Sequence, residues 1–326
     1  MVDGYGRRID YLRISITDRC NLRCIYCLPA EGVRPVIPTE ILTYEEILQV
    51  VRLLVGWGVN KVRLTGGEPL LRRDVTYLIR GLASIEGLGD LSLSTNGTRL
   101  AEMASDLAQA GLRRVNISLD SLDPQKYAEI TRGSQIERVW EGTEAAVRAG
   151  LNPVKINTVI IRGLNDDEVL DFARLTLDRP LHVRFIEHMP IGARGIWEEH
   201  KVVSAAEIKA KVATLGSLIP VNEVLGEGPA RYFRLPGAYG TLGFISPLSD
   251  HFCDSCNRIR LTADGRLRPC LFSESELDLK GLLRSGRPEE EIARFLKDAL
   301  ERKPKGHGIC QRPPYKVSRP MTQIGG

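Results

Sequence analysis

The sequence lacks the features of a membrane or secreted protein. No stretch approaches the ~20 uninterrupted apolar residues that a membrane helix needs, and residues 1–8 contain no apolar segment typical of a signal peptide. An excess of one charge is also missing, since the formal net charge is only +4, which excludes a polybasic nucleic-acid coat. The hydrophobic content of 43% supports a folded core. We expect a cytoplasmic globular protein of one large or two smaller domains, monomeric or homodimeric, with no membrane or nucleic-acid partner.

The seven cysteines are the most informative residues. An odd number, in a chain without a secretion signal, argues against a disulfide framework. Six of them form two groups, the first trio (Cys20, Cys24, Cys27; C-x3-C-x2-C) and the second trio (Cys253, Cys256, Cys270; a C-x2-C pair and a later cysteine). Cys310 stands alone and is expected to be an unligated thiol. Two groups of three thiols indicate soft-metal or iron–sulfur chemistry.

Residues 1–210 alternate between predicted strands and helices. Six β-rich runs are predicted as strands: Tyr11–Thr17, Lys61–Thr65, Leu91–Thr95, Arg114–Leu119, Val154–Ile160 and His182–Glu187. A helical pattern follows each run, as at Thr43–Val55, where Thr43 and Glu46 indicate a capping box. Six β–α repeats predict a parallel sheet with helices outside. We expect an α/β fold, an incomplete (β/α)6 barrel of the TIM type, with a doubly wound open sheet as the alternative.

After residue 210 the rhythm changes, and residues 211–326 are expected to form a smaller C-terminal α+β region. Arg258–Ala263 and Arg266–Leu271, joined by Asp264-Gly265, form a strong signal for a hairpin with a two-residue loop. Such a loop pairs Ile259 with Cys270 and brings the second trio together. Alternation then separates two pairs of arginines, with Arg258 and Arg260 on one face and Arg266 and Arg268 on the other.

Polar and glycine residues follow the predicted strands, at the edge where parallel sheets carry their chemistry. These segments are Asp18-Arg19-Cys20, Gly66-Gly67-Glu68-Pro69, Ser94-Thr95-Asn96-Gly97, Ser118-Leu119-Asp120-Ser121 and Glu187-His188-Met189-Pro190. Because parallel strands end at one edge, we expect these segments to converge on one site.

Zinc competes with iron as the metal of each trio. A structural zinc ion takes four ligands, in two C-x2-C pairs or with a Cys/His partner. The first trio has three thiols in one short loop, and the nearest histidine in sequence is His182. Three thiolates on a four-iron cluster leave one iron open, so the spacing favours a cluster there. For the second trio, spacing alone leaves zinc and iron even.

The first trio lies in a motif that resembles the signature of the radical S-adenosylmethionine (SAM) family. Residues 20–27 read CNLRCIYC, and Gly66-Gly67-Glu68-Pro69 resembles that family's segment for the methionine amino group. Within the family the chain is most similar to the GTP 3′,8-cyclases of molybdenum cofactor biosynthesis. This similarity rests on the RISITDRCN and KVRLTGGEPL runs, the second trio and the terminal MTQIGG, and it covers nearly the whole chain.

The resemblance implies a lyase that cyclises GTP to (8S)-3′,8-cyclo-7,8-dihydroguanosine 5′-triphosphate. The implied cofactors are SAM and two [4Fe-4S] clusters, one on Cys20, Cys24 and Cys27 and the other on Cys253, Cys256 and Cys270. In the implied reaction SAM is cleaved to a 5′-deoxyadenosyl radical, which takes the 3′ hydrogen of GTP before the ribose joins guanine C8. The open iron of the second cluster is implied to bind guanine.

The resemblance also assigns residues to each ligand. SAM contacts fall on Tyr26, Gly67, Ser118 and Met189, where Gly67 allows a close backbone approach. The sequence has no G-x4-G-K-[ST] phosphate loop, so separate cationic side chains must hold the triphosphate. The implied GTP contacts are Arg13, Arg63, Ser94, Lys155, Arg258, Ile259 and Arg260. Arg258, Arg260 and the terminal pair Gly325-Gly326 are the implied catalytic residues, and the glycine pair is expected to reach into the site.

The implied partners are GTP, a flavodoxin- or ferredoxin-like electron donor, and a downstream cyclic pyranopterin monophosphate synthase that receives the product. Two other functions stay open on sequence grounds. One is a radical SAM enzyme with an auxiliary cluster that acts on a peptide or RNA, although the low aromatic content and the near-balanced charge speak weakly against RNA. The other is a zinc-bearing binding or regulatory protein.

Overall fold

The computed structural model describes residues 1–191, 197–222, 228–308 and 319–325. In these ranges the chain forms ten α-helices and one sheet of twelve strands. The strands are β1 (Tyr11–Ser15), β2 (Lys61–Thr65), β3 (Asp90–Thr95), β4 (Arg114–Ser118), β5 (Val154–Ile160), β6 (His182–Glu187), β7 (Ile219–Val221), β8 (Arg231–Arg234), β9 (Thr241–Ile245), β10 (Arg258–Leu261), β11 (Arg266–Arg268) and β12 (Leu277–Asp278). The helices are α1 (Tyr44–Gly56), α2 (Val75–Ala83), α3 (Leu100–Gln109), α4 (Pro124–Thr131), α5 (Ile136–Arg148), α6 (Val169–Asp178), α7 (Ala205–Val212), α8 (Leu279–Arg284), α9 (Glu289–Glu301) and α10 (Met321–Ile324). None of these helices is long and apolar enough to cross a membrane.

The centre of the sheet is parallel. Strands β1 to β6 lie side by side in sequence order, while β9 pairs parallel with β6 and β10 pairs parallel with β1. Antiparallel strands form the outer edges, with β11 and β12 beyond β10 and with β8 and β7 beyond β9. A doubly wound sheet reverses its strand order at a switch point, and β1 to β6 show no such reversal. The predicted α/β fold with six parallel strands of an incomplete barrel is therefore confirmed.

The helices form and pack where an apolar stripe meets a capping signal. In α1 the Thr43 side chain accepts from the Glu46 backbone N–H, and the Glu46 side chain accepts from the Thr43 N–H, which is the predicted capping box. The stripe of Ile47, Val50, Val51 and Leu54 is fully buried in the core. Each such side chain contributes about 1.5–3 kcal/mol relative to its exposed state.

Helix α4 is absent from the sequence prediction because it carries no long apolar stripe. Its start is nevertheless signalled, since Asp123 accepts a hydrogen bond of 2.7 Å from the Lys126 N–H and Pro124 occupies the first turn. The short pattern Asp-Pro was the available signal for this helix.

The predicted register of the β10–β11 hairpin is wrong by one residue. Arg260 lies opposite Arg268 and Leu261 lies opposite Leu267, so Ile259 is not paired with Cys270. The loop holds three residues rather than two, and it ends at Gly265, whose φ of 76° is accessible to glycine at little cost. Arg260 and Arg268 therefore share a face of the sheet, in contrast to the prediction.

The strands of the C-terminal region extend the same sheet as β1 to β6. Strand β9 lies beside β6 and β10 lies beside β1, so both flanks of the six-stranded core are occupied by later parts of the chain. A division into residues 1–210 and 211–326 remains a prediction, because strands from both parts form one sheet and the boundary falls inside helix α7.

Candidate active site

A cavity lies among the parallel strands, and its wall joins residues that the sequence predicted separately. The predicted site residues in the wall are Arg13, Tyr26, Arg63, Ser94, Ser118, Met189, Cys253, Cys256, Arg258, Arg260 and Cys270. The wall also contains residues to which the sequence prediction gave no role: Tyr11, Asp120, Asn157, Phe252 and Lys303. The predicted convergence at the ends of strands therefore extends to the hairpin of the C-terminal region.

The first trio lies in the loop after β1 and rests on the end of α4. The N–H groups of Arg23 and Ile25 donate to the Thr131 and Ile130 carbonyls, at 3.3 and 2.9 Å. Arg132, in the left-handed conformation at φ 59°, donates from its guanidinium to the Arg23 and Leu28 carbonyls at 2.7 and 2.8 Å. The end of the helix that sequence patterns missed thus fixes the backbone within the first trio and directly after it.

The thiols of the first trio are arranged for a metal. Burial, followed by the charges of Asp120 and the other two thiols, raises the pKa of Cys24 well above its usual range. Burial and the neighbouring Cys20 raise the pKa of Cys27 to about 12. Three thiolates therefore coexist in this loop only when a cationic centre replaces their protons.

Tyr26 is anchored by Asp120. Its hydroxyl donates to the Asp120 Oδ2 at 2.6 Å, and the Asp120 Oδ1 accepts from the Val159 N–H at 2.8 Å. Burial raises the pKa of Asp120 to about 6, and the two hydrogen bonds act against that rise. Since the hydroxyl of Tyr26 is engaged, its ring and backbone are the parts available to a ligand. Asp120 was the strand-end residue whose role the sequence did not reveal.

Tyr26→Phe is expected to weaken SAM binding about 10- to 100-fold, because it removes a hydrogen bond to a buried carboxylate that is worth about 1.5–3 kcal/mol. The measurement is a SAM titration of the anaerobic, iron-loaded protein. Tyr44→Phe is the matched control, since that hydroxyl donates to the exposed Arg73 carbonyl at 2.8 Å. Equal SAM affinity in Tyr26→Phe and in the unchanged protein would contradict the role given to Tyr26 and Asp120.

The glycine-rich turn after β2 packs against the loop that carries the first trio. A Cβ on Gly66 would lie 2.4 Å from the Thr17 carbonyl oxygen, and one on Gly67 would lie 2.3 Å from the Arg19 carbonyl oxygen. Both glycines are thus required by the approach of two backbone segments of this chain. Contact of Gly67 with SAM remains a prediction, and Gly67 is not among the residues of the cavity wall.

Glu68 completes this turn from a fully buried position. Its carboxylate accepts from the Thr95 hydroxyl and the Asn96 N–H, both at 2.7 Å, and from the Leu70 N–H at 3.0 Å. Burial raises the pKa of Glu68 to about 7. This carboxylate therefore ties the end of β3 to the turn after β2.

The second trio lies in the cavity wall beside β10 and β11, whereas the cysteines of the first trio are not among the residues that line the cavity. Burial raises the pKa of Cys253. Burial acts in the same direction on Cys256, but the nearby cations of Arg258 and Lys303 outweigh it and lower the pKa to about 6. Cys256 is therefore prepared as a thiolate before any metal binds.

The thiols of each trio are neighbours of one another, since Cys24 and Cys253 each have a pKa that is raised first by burial and in part by the other two thiols of the same trio. A four-iron cluster bound by three thiolates keeps one iron without a protein ligand. Each trio therefore offers the three ligands that such a cluster takes.

Three arginines stand in one row across three strands. The register places Arg13 between Arg260 on β10 and Arg63 on β2, so all three side chains point to the same side of the sheet. Burial, followed by Arg260 and Arg63, lowers the pKa of Arg13 well below its usual range. Burial also lowers the pKa of Arg63 to about 10 and that of Arg260 to about 9. Like charges placed this way are destabilising, so the row indicates a site for a polyanion.

Ser94 adds a hydroxyl to the cavity wall, whereas Lys155, also a predicted GTP contact, is not among the residues that line the cavity. Lys155 is fully buried on β5, where its Nζ lies 3.2 Å from the Tyr232 hydroxyl. Burial, followed by the nearby Arg184, lowers the pKa of Lys155 to about 5. The hydroxyls of Ser94 and Tyr11 are buried without a hydrogen-bond partner in the described part of the chain.

Ile259, a predicted GTP contact, and Arg268, which was given no site role, are not among the residues that line the cavity. The side chain of Ile259 is fully buried in the hydrophobic core, so only its backbone is available to GTP. Arg268 lies opposite Arg260 but is held by the Glu276 carboxylate and by the Leu271 and Ser273 carbonyls. Arg268 is thus a structural cation, whereas Arg258 and Arg260 remain available to a shared ligand.

The end of the chain lies between the two trios. The backbone N–H of Thr322 in α10 hydrogen-bonds the Cys27 thiol, and Met321 packs in the same apolar cluster as Cys270. The Gly325 carbonyl accepts a hydrogen bond from Arg260. Gly325 has φ 72°, and a Cβ there would lie 2.6 Å from the Thr65 Oγ1. Gly326 and Cys310 lie outside the described residues.

Comparisons with known proteins agree with this geometry. The model of the Radical SAM superfamily matches residues 14–176, and the model of Molybdenum Cofactor Synthesis C matches residues 181–309. The chain is 52% identical over 327 residues to a protein of Pelotomaculum thermopropionicum named GTP 3′,8-cyclase, with 100% of both chains covered. A protein of the same name from Moorella thermoacetica is 51% identical over 326 residues, again with both chains fully covered.

Among solved structures, Streptococcus suis SuiB bound to precursor peptide SuiA shares the fold. Its TM-score is 0.64 at 14% identity, covering 94% of this chain and 68% of that chain. At this identity the likeness concerns the fold alone. The cysteine trios, the parallel sheet and the matches over the full length together lead to one conclusion: the chain belongs to the Radical SAM superfamily and, within it, to the group that carries the Molybdenum Cofactor Synthesis C region.

Proposed function

We propose that this protein is a GTP 3′,8-cyclase of molybdenum cofactor biosynthesis, which joins ribose C3′ of GTP to guanine C8 at the expense of SAM. The observation that carries the proposal is a single cavity whose wall contains the second trio, a row of arginines, and Tyr26 from within the first trio's motif. A radical formed beside one trio would then meet a triphosphate substrate held beside the other. Full-length relatives named GTP 3′,8-cyclase support the same reaction.

Cys20, Cys24 and Cys27 would hold one [4Fe-4S] cluster, and Cys253, Cys256 and Cys270 would hold the other. When bound, these clusters supply the electron for SAM cleavage and an open iron for the purine. Tyr26, Ser118 and Met189 would orient SAM, since all three line the cavity. Asp120 would keep Tyr26 in place through the hydrogen bond of 2.6 Å.

Arg13, Arg63, Lys155 and Arg260 would bind the triphosphate of GTP. A polyanion removes the repulsion among the three buried arginines and restores the ammonium form of Lys155, whose pKa burial lowers to about 5 without a ligand. Hydrogen bonds between ionised partners are roughly twice as strong as neutral ones. The buried hydroxyl of Ser94 offers a further donor. Arg258 would face the same substrate from the hairpin, where its guanidinium lies over the Phe252 ring at 4.8 Å. Holding GTP at several points fixes the 3′ carbon relative to SAM.

Iron analysis and product analysis test this function together. The anaerobic protein should contain about eight irons per chain, as expected for two four-iron clusters, and Cys253→Ala should contain about four. With GTP, SAM and a reductant, the unchanged protein should form 5′-deoxyadenosine and a cyclised nucleotide, whereas Cys253→Ala should form no cyclised nucleotide. Stoichiometric zinc without iron would indicate a binding protein. Cleavage of SAM without change to GTP would indicate a radical enzyme for another substrate.

The remaining partners follow from the chemistry. Each turnover requires electrons, so we propose a flavodoxin- or ferredoxin-like donor, and we propose that the product passes to a cyclic pyranopterin monophosphate synthase.

We also propose that the protein works in the cytoplasm. The six thiols of the two trios must stay reduced to bind iron, and structural disulfides form in oxidising compartments instead. We propose a monomer or homodimer there.

A further inference from the structure

Lys303 is a buried cation for which the sequence gave no role. It follows α9 and is only 3% exposed, in the segment that closes over the second trio. A buried ammonium is costly unless its hydrogen bonds are satisfied. The hydrogen-bond partners of the Lys303 ammonium therefore indicate the role of this charge.

The Nζ of Lys303 makes three contacts, and an ammonium has three N–H donors. It donates to the Pro269 carbonyl at 2.7 Å and to the Arg258 carbonyl at 2.9 Å. The third contact is the Cys256 Sγ, at 3.5 Å. The two carbonyls belong to neighbours of Cys270 and Cys256, so they hold the ammonium at fixed geometry between β10 and the end of β11. The remaining N–H is directed at a sulfur of the second trio.

The backbone around Lys303 is itself fixed. Arg7 donates to the Pro304 and Lys305 carbonyls, at 2.8 and 2.9 Å, and to the Cys253 carbonyl at 2.8 Å. The Asp3 carboxylate holds the Arg7 guanidinium in turn, at 2.7 Å. The segment that carries Lys303 is thus tied through Arg7 to Cys253, the first cysteine of the second trio, and the position of its ammonium does not depend on a flexible tail.

We propose that Lys303 is a positioning residue that sets the reduction potential of the second cluster through a charged N–H···S hydrogen bond to Cys256. Hydrogen bonds to cluster sulfurs and nearby charge are among the factors that set such potentials. A positive charge stabilises the reduced, more negative cluster, so Lys303 raises the potential. An auxiliary cluster that binds the purine is thereby tuned separately from the cluster that cleaves SAM. The inference rests on the proposed second cluster.

The test is a potentiometric titration of the fully loaded anaerobic protein, followed by electron paramagnetic resonance. In Lys303→Met the potential of the second cluster should fall by about 59 mV, which is a tenfold change in the reduced-to-oxidised ratio of a one-electron couple. The first cluster serves as the internal reference and should not shift. Lys305→Met, an exposed lysine two residues away, should leave both potentials unchanged. In Lys303→Arg, which keeps the charge and the N–H donors, the potential of the second cluster should stay close to that of the unchanged protein.

Iron content separates failure of this inference from failure of the proposed function. Without iron on the second trio of the unchanged protein, both fail. If Lys303→Met has its full iron content, two results refute only the role of Lys303. One is an unchanged reduction potential of the second cluster, and the other is an equal shift in the potentials of both clusters. If Lys303→Met loads less iron, Lys303→Gln replaces it, because its amide retains donors for the two carbonyls without the charge. The same fall in potential is then required of Lys303→Gln.

Discussion

Deletion of Gly325 and Gly326 is expected to lower the rate of GTP cyclisation by at least about 100-fold, the loss that follows removal of one well-placed polar group from an active site. Iron content and thermal unfolding should stay nearly unchanged. The reason is the contact between the Gly325 carbonyl and Arg260, a member of the arginine row. Without this acceptor, Arg260 is free to turn away from the position in which it meets the substrate. Product formation under anaerobic conditions is the measurement.

A substitution separates the two features of Gly325 that an added side chain would disturb, namely its close contact with Thr65 and its positive φ. Gly325→Ala places a Cβ 2.6 Å from the Thr65 Oγ1 and also strains a backbone with φ 72°. Gly286→Ala is the matched control, because Gly286 has φ 68° with no atom within 4 Å of an added Cβ. We expect reduced turnover in Gly325→Ala only, whereas both variants carry the backbone strain. Full activity of the protein that lacks both glycines would show that the tail has no part in the reaction.

Lys155→Met is expected to weaken GTP binding about 10- to 100-fold, the loss of a charged hydrogen bond, and also to stabilise the protein in the absence of GTP. The folded-state pKa of Lys155 is about 5, far below its ordinary value of 10.5, first because of burial and then because of Arg184. Methionine has a similar shape without a group to desolvate. The measurements are a GTP titration and the thermal unfolding of the nucleotide-free protein.

The gain in stability of Lys155→Met over the unchanged protein should decrease as the pH rises. Between pH 5 and pH 10.5 the unfolded chain holds a proton at Lys155 that the folded chain lacks. Stability conferred by that site therefore rises with pH in this window. The difference in free energy of unfolding between Lys155→Met and the unchanged protein should therefore fall by up to ~1.4 kcal/mol for each pH unit between pH 6 and pH 9.

GTP binding should also be coupled to a proton. Because the triphosphate restores the ammonium form of Lys155, binding near pH 7.5 should take up about one proton. Calorimetry in buffers of different ionisation enthalpy measures this uptake, and Lys155→Met should abolish it. Lys297→Met, an exposed lysine on α9, is the control. Equal proton uptake in Lys155→Met and in the unchanged protein would refute the role of Lys155.

The metal chemistry of the first trio was predictable from local sequence, whereas spacing alone left zinc and iron even for the second trio. Cysteine spacing is a property of a short loop, so CNLRCIYC indicated a cluster before any fold was known. The six parallel strands were also predictable, since each is a β-rich run with a clear end. Helix α4 was not, because its positioning role arises from contacts of Ile130 and Thr131 with a loop 100 residues away.

Only the tertiary structure decided which charges act together. Arg13, Arg63 and Arg260 are far apart in sequence, and strand register alone brings them into one row. The hairpin register was misjudged because Asp-Gly is compatible with loops of two or three residues, and one residue of slip moves Arg268 to the other face. Lys303 showed no signal in the sequence, and Asp120 showed only its place at a strand end, since a buried cation or carboxylate acquires its role from partners supplied by distant parts of the chain. Short-range spacing therefore determined the metal chemistry of the first trio, whereas the electrostatics of the site depend on long-range pairing that no local pattern encodes.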